Sequence, residues 1–461
     1  MPDLSDRHIF IIPVQDKFLL HAPLLKLSAL VNRSAAGAIR AALASGAAAE
    51  NADSRLQPLL DVLRQPPLPP PAPNGAEISP AFLGIVTTRA CNSACVYCDF
   101  GAPGASGRAM DLQTAVAAVD WYARLMKQQE KELLEIHFFG GEPMTAPAVV
   151  ETVVHRARLV AARERLTPYF EISTNGLCGP ALLAFLGDYV NRVVLSFDGR
   201  EDIQNLHRPL RGGKGSYPGS FAAAQYLSDS PAQLVIRCCV SQINVDIMED
   251  TARWFCETFN PSLINFEIMQ PVESAAAAGL YPPDPYEFAA NFIKARRAAE
   301  SFGIKTVYAA DLSTEPVYTS CPVGSDTVIV SPDGRISSCY LLPEKWQEVG
   351  LDLDLGEMRG RREVSINPAA VQNIRDMVIH KPRCEKCFCR WNCAGGCHVG
   401  NTYPGCSPDY SDYCRQTRII SACSLLDELN LPEIADTLID DREALAALAC
   451  RESDRLMEWE V

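Results

Sequence analysis

Three cysteines, Cys91, Cys95 and Cys98, stand at gaps of three and two in the stretch ACNSACVYCDF. Thiolates are ligands of structural zinc and of iron–sulfur clusters, and a loop with these gaps can wrap around one such centre. A closed tetrahedral zinc site or a four-iron cluster takes four protein ligands. This loop offers three, so a fourth position is open. A distant His or Cys would close a zinc site, but the chain has only 7 histidines and His137 falls inside a predicted strand.

The chain holds 18 cysteines in 461 residues. Nine lie between Cys321 and Cys414. Cys178, Cys238, Cys239, Cys256, Cys423 and Cys450 read as small buried hydrophobes. The N-terminal stretch MPDLSDRHIFIIPV lacks a basic segment ahead of an apolar core and a small-residue cleavage site. A secretory signal is therefore not expected, and a cytoplasmic location is. A reducing compartment disfavours disulfides, which leaves metal as the use for so many thiols. No run approaches the ~18–20 apolar residues of a membrane span. A formal charge of -14 and a pI near 5.1 argue against nucleic acid or an anionic membrane as partner. The length predicts roughly two or three domains.

The elements that must position these thiols follow from the hydrophobic pattern. Residues 1–65 mix short apolar runs, HIFIIPV and KFLLHA, with the helical patterns SALVNRSAAGAIRAALASG and SRLQPLLDVLRQ. The proline-rich stretch PPLPPPAPNG, within a linker at 66–79, favours a stiff polyproline II spacer. Over 80–310 six strand candidates alternate with helices: LGIVTT, EIHFFGG, FEISTNG, RVVLSFDG, LVIRCCVS and LINFEIMQ. Strand, crossover helix, strand is the mark of a parallel sheet. Six units predict an α/β fold with a partial (β/α)6 TIM-type barrel, whose site lies at the C-terminal strand ends. The three cysteines, GGEP, STNG and SFDG all fall there. Residues 271–320 read as a less patterned connection with one helix, and 415–461 as two amphipathic helices.

The C-x3-C-x2-C loop after the first strand, with Tyr97 before the third cysteine, resembles the radical S-adenosylmethionine enzymes. The resemblance covers about 80–310. It implies that Cys91, Cys95 and Cys98 hold a [4Fe-4S] cluster whose fourth iron binds the amino and carboxylate groups of S-adenosylmethionine. One low-potential electron then cleaves the sulfonium to a 5′-deoxyadenosyl radical. It further implies that Gly140, Gly141, Glu142 and Pro143 bind the methionine amino group. Ser173, Asn175, Ser196 and Asp198 suit ribose hydroxyls and the methionine carboxylate, with Arg208 as a carboxylate partner.

In CPVGSDTVIVSPDGRISSC, SPDG is a turn between two β-like runs, which predicts a hairpin. CEKCFCRWNCAGGC follows, and then Cys414. Seven cysteines in this order resemble the SPASM extension of the same enzymes, placed over 311–420, with C-terminal helices at 421–461. A pair of zinc ribbons is the alternative. The resemblance implies two auxiliary [4Fe-4S] clusters. Cys384, Cys387, Cys393 and Cys414 would hold the distal one, and Cys321, Cys339 and Cys397 the proximal one. No cysteine occurs from 322 to 338, so the proximal cluster either keeps an open iron or borrows Cys389 or Cys406.

Enzymes with this extension mostly act on peptides or proteins. The branch that makes formylglycine in sulfatases places an aspartate base directly after the equivalent of Cys339. This chain has Tyr340 there, and a tyrosine of ordinary pKa, near ~10, is a poor base at neutral pH. The other branch modifies ribosomally made precursor peptides, installing thioether or carbon–carbon crosslinks. Many of its members carry a small winged-helix-like domain that captures a leader peptide by strand addition. Residues 7–65 look similar. The expected function is thus a peptide-maturing oxidoreductase fed by a low-potential donor such as flavodoxin or ferredoxin. A formylglycine-forming enzyme, a non-catalytic electron carrier with three clusters and a zinc scaffold are the alternatives.

Overall fold

The computed structural model describes residues 8–44, 54–73, 75, 77–100, 107–308, 315–360, 363–400 and 411–459. The N-terminal domain is an antiparallel sheet of β1 (Phe10–Val14), β2 (Lys17–Ala22) and β3 (Leu27–Asn32), in that spatial order. Helices Arg33–Ala44 and Gln57–Leu63 pack on it around Ile11, Leu20, Ile39, Leu60 and Leu63. The pattern SALVN predicts helix, yet it belongs to β3. Six paired residues from Lys17↔Asn32 to Ala22↔Leu27 override a weak local preference. The helix starts only after Asn32, whose side chain accepts from Ala35 N at 2.8 Å and caps it.

The two edges of this sheet differ. On β1, Ile11 N donates to Asp454 O (2.7 Å), Leu456 N donates to Ile9 O (3.0 Å), and Phe10 bridges Arg455. The C-terminal tail therefore closes β1. Trp459 packs on Phe18, with ring centroids 4.9 Å apart, and Arg33 lies over both rings. Among the described residues, β3 is paired only through β2.

His21, on β2, makes this domain acid-sensitive. Burial pushes its pKa down to about 4 from 6.5, and a hydrogen bond with Asn392 opposes the shift only in part. The folded imidazole stays neutral while the unfolded one takes a proton near 6.5. Stability is full above that pH and falls as pH drops toward 4, by about 3 kcal/mol in all. His21→Gln is expected to flatten the dependence of the denaturation midpoint on pH over this window. An unchanged slope would assign the acid sensitivity elsewhere.

Among the described residues, the rest of the chain contributes one sheet of eleven strands. Its parallel part is β4 (Leu83–Val86), β5 (Leu133–Phe139), β6 (Thr167–Thr174), β7 (Arg192–Ser196), β8 (Gln233–Val240), β9 (Leu263–Ile268) and β10 (Lys305–Val307). The six predicted strands are present. Strand β10 adds a seventh inside a region read as an unpatterned connection, and three residues are too few for a period to show.

On β5, Leu134, Ile136 and Phe138 are buried against the covering helices, while Glu135, His137 and Phe139 take the other face. Helix Leu112–Gln128 is capped by Asp111, which accepts from Gln113 N at 2.9 Å. It buries Ala115, Ala118, Val119, Tyr122 and Met126 at helical spacing.

The C-terminal region continues the barrel sheet. Strand β11 (Val328–Val330) pairs parallel with β4 and antiparallel with β12 (Arg335–Ser337) across the predicted SPDG turn. Strands β13 (Asp354–Arg359) and β14 (Glu363–Ile366) complete the edge. The last stretch is three helices, Asp412–Glu428, Pro432–Ile439 and Arg442–Ala449, where the pattern predicted two. Pro432 starts the second at its first turn. Among the described residues, no helix is long and apolar enough to cross a membrane.

Candidate functional site

Between Thr88 and Val96, the loop after β4 is held by backbone hydrogen bonds on two sides. Ala94 N donates to Pro209 O (2.7 Å) and Val96 N to His207 O (3.0 Å), while Arg211 N donates to Asn92 O (3.1 Å). On the opposite side Gly141 N donates to Thr88 O (2.9 Å) and Glu142 N to Ala90 O (2.8 Å). A Cβ at Gly140 would overlap the Thr88 carbonyl, and one at Gly141 those of Ala90 and Arg89. The two glycines therefore let the β5 strand end lie flush against the backbone that leads into Cys91.

Glu142 is a buried junction. Its carboxylate accepts from Met144 N (2.9 Å), Thr174 Oγ1 (2.7 Å) and Asn175 N (2.7 Å), which ties the β5 end to the β6 end. Burial pushes its pKa up, and those three bonds oppose the shift. Pro143 is buried beside it and opens a short 3₁₀ turn. Asn175 continues the chain of contacts, donating to Asn92 Oδ1 (2.7 Å) and Ser93 Oγ (3.0 Å), with Cys91 Sγ at 3.9 Å.

Asp198, at the β7 end, is fully enclosed. It accepts from Arg208 Nε (2.9 Å) and Nη2 (3.0 Å), Tyr97 Oη (2.9 Å) and Cys239 N (2.8 Å), and His207 Nδ1 lies at 3.1 Å. Burial alone would raise its pKa, but the Arg208 charge and the bonds from His207 and Arg208 hold it well below the usual carboxylate range. Arg208 also lies over the Tyr97 ring, 5.2 Å from its centroid. Asp198 and Arg208, both expected to face the cofactor, are thus paired with each other, and Tyr97 joins the pair to the cysteine loop. Ser173 and Ser196 are half-buried at the ends of β6 and β7, where their backbones pair with Val194 and Arg237 of the neighbouring strands.

The thiols of Cys91 and Cys95 are pushed up in pKa, by burial first and then by neighbouring charge, including Cys98 in both cases. Cys95 reaches about 12, although the Arg208 charge opposes the shift. Mutual repulsion of close thiolates is what a cationic centre relieves, so the donor set fits an iron–sulfur cluster.

The C-terminal thiols fall into two groups. Cys321 is raised to about 12, by burial and then by Cys397 and Cys339; Cys339 likewise by burial and then Cys397. Cys384 and Cys393 are raised by burial and then by each other's group, which includes Cys387 and Cys414. Cys387 moves the other way, to about 7, through a hydrogen bond with Cys389, against its burial and with help from the Arg418 charge. Cys389 bonds Ser421 Oγ at 3.2 Å and sits with Cys387, not with the Cys321 group. Cys406 lies outside the described residues.

The Cys339 hairpin reaches the barrel through β11. Arg89, from the loop after β4, donates to Tyr340 O (2.9 Å). The Tyr340 ring packs on Phe139 at 4.6 Å. A Cβ at Gly84 would stand 2.7 Å from the Tyr340 hydroxyl, so glycine on β4 makes room for it. That hydroxyl is buried with no hydrogen-bond partner among the described residues.

Motif reading missed the polar side chains of the barrel strands. His137 Nε2 meets Glu135 Oε1 at 2.7 Å and its ring stacks on Phe82, while Arg192 meets Glu171 at 3.3 Å. On β8 and β9, Arg237 and Asn265 are in register, and Glu267 accepts from Asn265 Nδ2 at 3.0 Å. The signal was available: polar residues at alternate positions inside otherwise apolar strands.

Residues 85–255 match the family model described as the Radical SAM superfamily. The chain is 31% identical over 172 residues to the PqqA peptide cyclase of Gluconobacter oxydans (strain 621H), covering 36% of this chain and 43% of that protein. It is 25% identical over 193 residues to the radical SAM cyclopropyl synthase TigE of Paramaledivibacter caminithermalis (strain DSM 15212 / CIP 107654 / DViRD3), covering 39% of each. The matches thus span about two fifths of those relatives. Among solved structures, native anSMEcpe with bound AdoMet aligns with a TM-score of 0.59 at 17% identity, over 76% of this chain and 98% of that one. Streptococcus suis SuiB bound to S-adenosylmethionine aligns with a TM-score of 0.50 at 13% identity, over 86% and 95%. These structural likenesses show the fold.

Proposed function

We propose that this chain, whose residues 85–255 form a radical SAM domain, matures a ribosomally made precursor peptide by hydrogen abstraction and installs a crosslink. The observation that carries the reading is the convergence of three strand-end motifs on the cysteine loop through the hydrogen bonds of Gly141, Glu142, Asn175 and Asp198. Cys91, Cys95 and Cys98 would hold the [4Fe-4S] cluster, leaving one iron for S-adenosylmethionine. When bound, that pair supplies a hydrogen-abstracting radical. The chain's own residues orient it: Glu142 and Asn175 fix the β5 and β6 ends, and Asp198 with Arg208 fixes Tyr97. Ser173 and Ser196 are the hydroxyls left to meet the cofactor.

Two auxiliary clusters on the Cys321 and Cys384 groups would exchange electrons with the substrate and with an external low-potential donor. The formylglycine alternative lacks its carboxylate base, since Tyr340 occupies that position. The test is anaerobic reconstitution with reductant and S-adenosylmethionine. Release of 5′-deoxyadenosine is expected, and its absence from iron-loaded protein would overturn the proposal.

The leader peptide would add to β3, because the chain itself closes β1. Ala29 and Leu30 are adjacent on β3, so one of the two N–H groups points away from β2. Proline at each position in turn is expected to separate two effects. At the outward position it should weaken leader-peptide binding about tenfold or more, measured by fluorescence anisotropy, while the melting temperature holds. Binding unaffected by either proline would remove β3 as the docking edge.

A further inference from the structure

We propose that Arg418 is a hydrogen-bond donor to the distal auxiliary centre and sets its reduction potential. The inference rests on the reading that Cys384, Cys387, Cys393 and Cys414 hold a cluster. Arg418 lies on helix Asp412–Glu428, one turn beyond Cys414, and its side chain is 1% exposed. It donates to both carboxylate oxygens of Asp454, from Nη1 at 2.6 Å and Nη2 at 2.8 Å, and Asp454 is 0% exposed. Further N–H groups go to Leu448 O, and Nη1 also lies 3.3 Å from Cys387 Sγ. The guanidinium sits over the Phe388 ring at 5.1 Å.

Asp454 holds the other side of the same loop. Its N–H donates to Lys386 O (2.9 Å), and its carboxylate accepts from Phe388 N (3.0 Å). The residues before and after Cys387 are therefore pinned by the partner of Arg418. A buried ion pair gives little net stability by itself, and well-packed apolar residues often do as well. What an apolar replacement could not supply is an N–H directed at the Cys387 sulfur. Such a bond withdraws electron density from a cluster thiolate and favours the reduced state.

The experiment uses the full chain with Cys91, Cys95 and Cys98 replaced by alanine, so that only auxiliary clusters contribute to the spectra. Potentiometric titration followed by electron paramagnetic resonance compares Arg418→Lys and Arg418→Met with that parent. Arg418→Met is expected to move one auxiliary signal to lower potential, changing its reduced-to-oxidised ratio about tenfold at fixed potential, and to leave the other in place. Arg418→Lys keeps the charge without the fork and should fall between, and it serves alone where the methionine protein does not fold. Signals unmoved in an iron-loaded variant would overturn the role of Arg418. A parent protein whose iron content does not fall when Cys384 and Cys393 are replaced by alanine would overturn the distal-centre reading itself, before any Arg418 variant is compared.

Discussion

An Asp198→Asn protein is expected to lose about 3–5 kcal/mol of stability and nearly all reductive cleavage of S-adenosylmethionine. The carboxylate is surrounded by N–H and O–H donors from Arg208, Tyr97, His207 and the Cys239 backbone. An amide offers one oxygen where two are needed and turns an NH2 toward the remaining donors. It also leaves the Arg208 guanidinium buried without a counter-charge, which is the origin of that cost. Tyr97 then loses its anchor, and with it the cysteine loop. Denaturant midpoints, iron content and 5′-deoxyadenosine release would measure the three effects. A midpoint equal to the parent's would show that Asp198 is not the keystone. The pH dependence has a definite sign. The folded carboxylate stays ionised while its unfolded counterpart takes a proton near pH ~4, so the stabilisation is complete above that value and fades as pH falls further.

The second large effect is at Gly141. Alanine there drives a methyl group into the carbonyl oxygens of Arg89 and Ala90. Both are backbone atoms, so no rotamer change relieves the overlap, and the cost is about 1–3 kcal/mol. The greater loss is positional. A shift of about 1 Å in the segment leading to Cys91 is expected to lower 5′-deoxyadenosine formation ~10²-fold. Gly37→Ala is the control. It stands in helix Arg33–Ala44 with open space around its Cβ position, and should raise stability by up to ~1 kcal/mol. A Gly141→Ala enzyme cleaving at the parental rate would show that this contact does not position the thiols.

The barrel was legible because its strands repeat. Six apolar runs with short polar groups at their ends, each followed by a helical pattern, permit few other arrangements. The ends were also correctly located, since GGEP, STNG and SFDG come together with the cysteines. The partners of each side chain were not legible. Asp198 and Arg208 are ten positions apart, and nothing in their spacing says that each is the other's counter-ion and not a ligand's. Glu142 reads as part of a turn, yet it joins two strand ends by accepting from Thr174, 32 positions further on. The joining of β11 to β4 was equally hidden, because a strand pair separated by more than two hundred residues leaves no local trace. Strand β3 was hidden for the same reason: its alanine and leucine content suits helix, and only its pairing with β2 decides.

The tail at 454–456 has a consequence for biogenesis. The outer edge of β1 is covered by residues made more than four hundred positions later. On a growing chain, the N-terminal sheet therefore has both edges available until synthesis has passed residue 456. A nascent chain can offer β1 to a passing extended segment, which the finished protein cannot. If the sheet captures a leader peptide as proposed, capture by partly translated chains should accordingly be less selective than capture by the complete one.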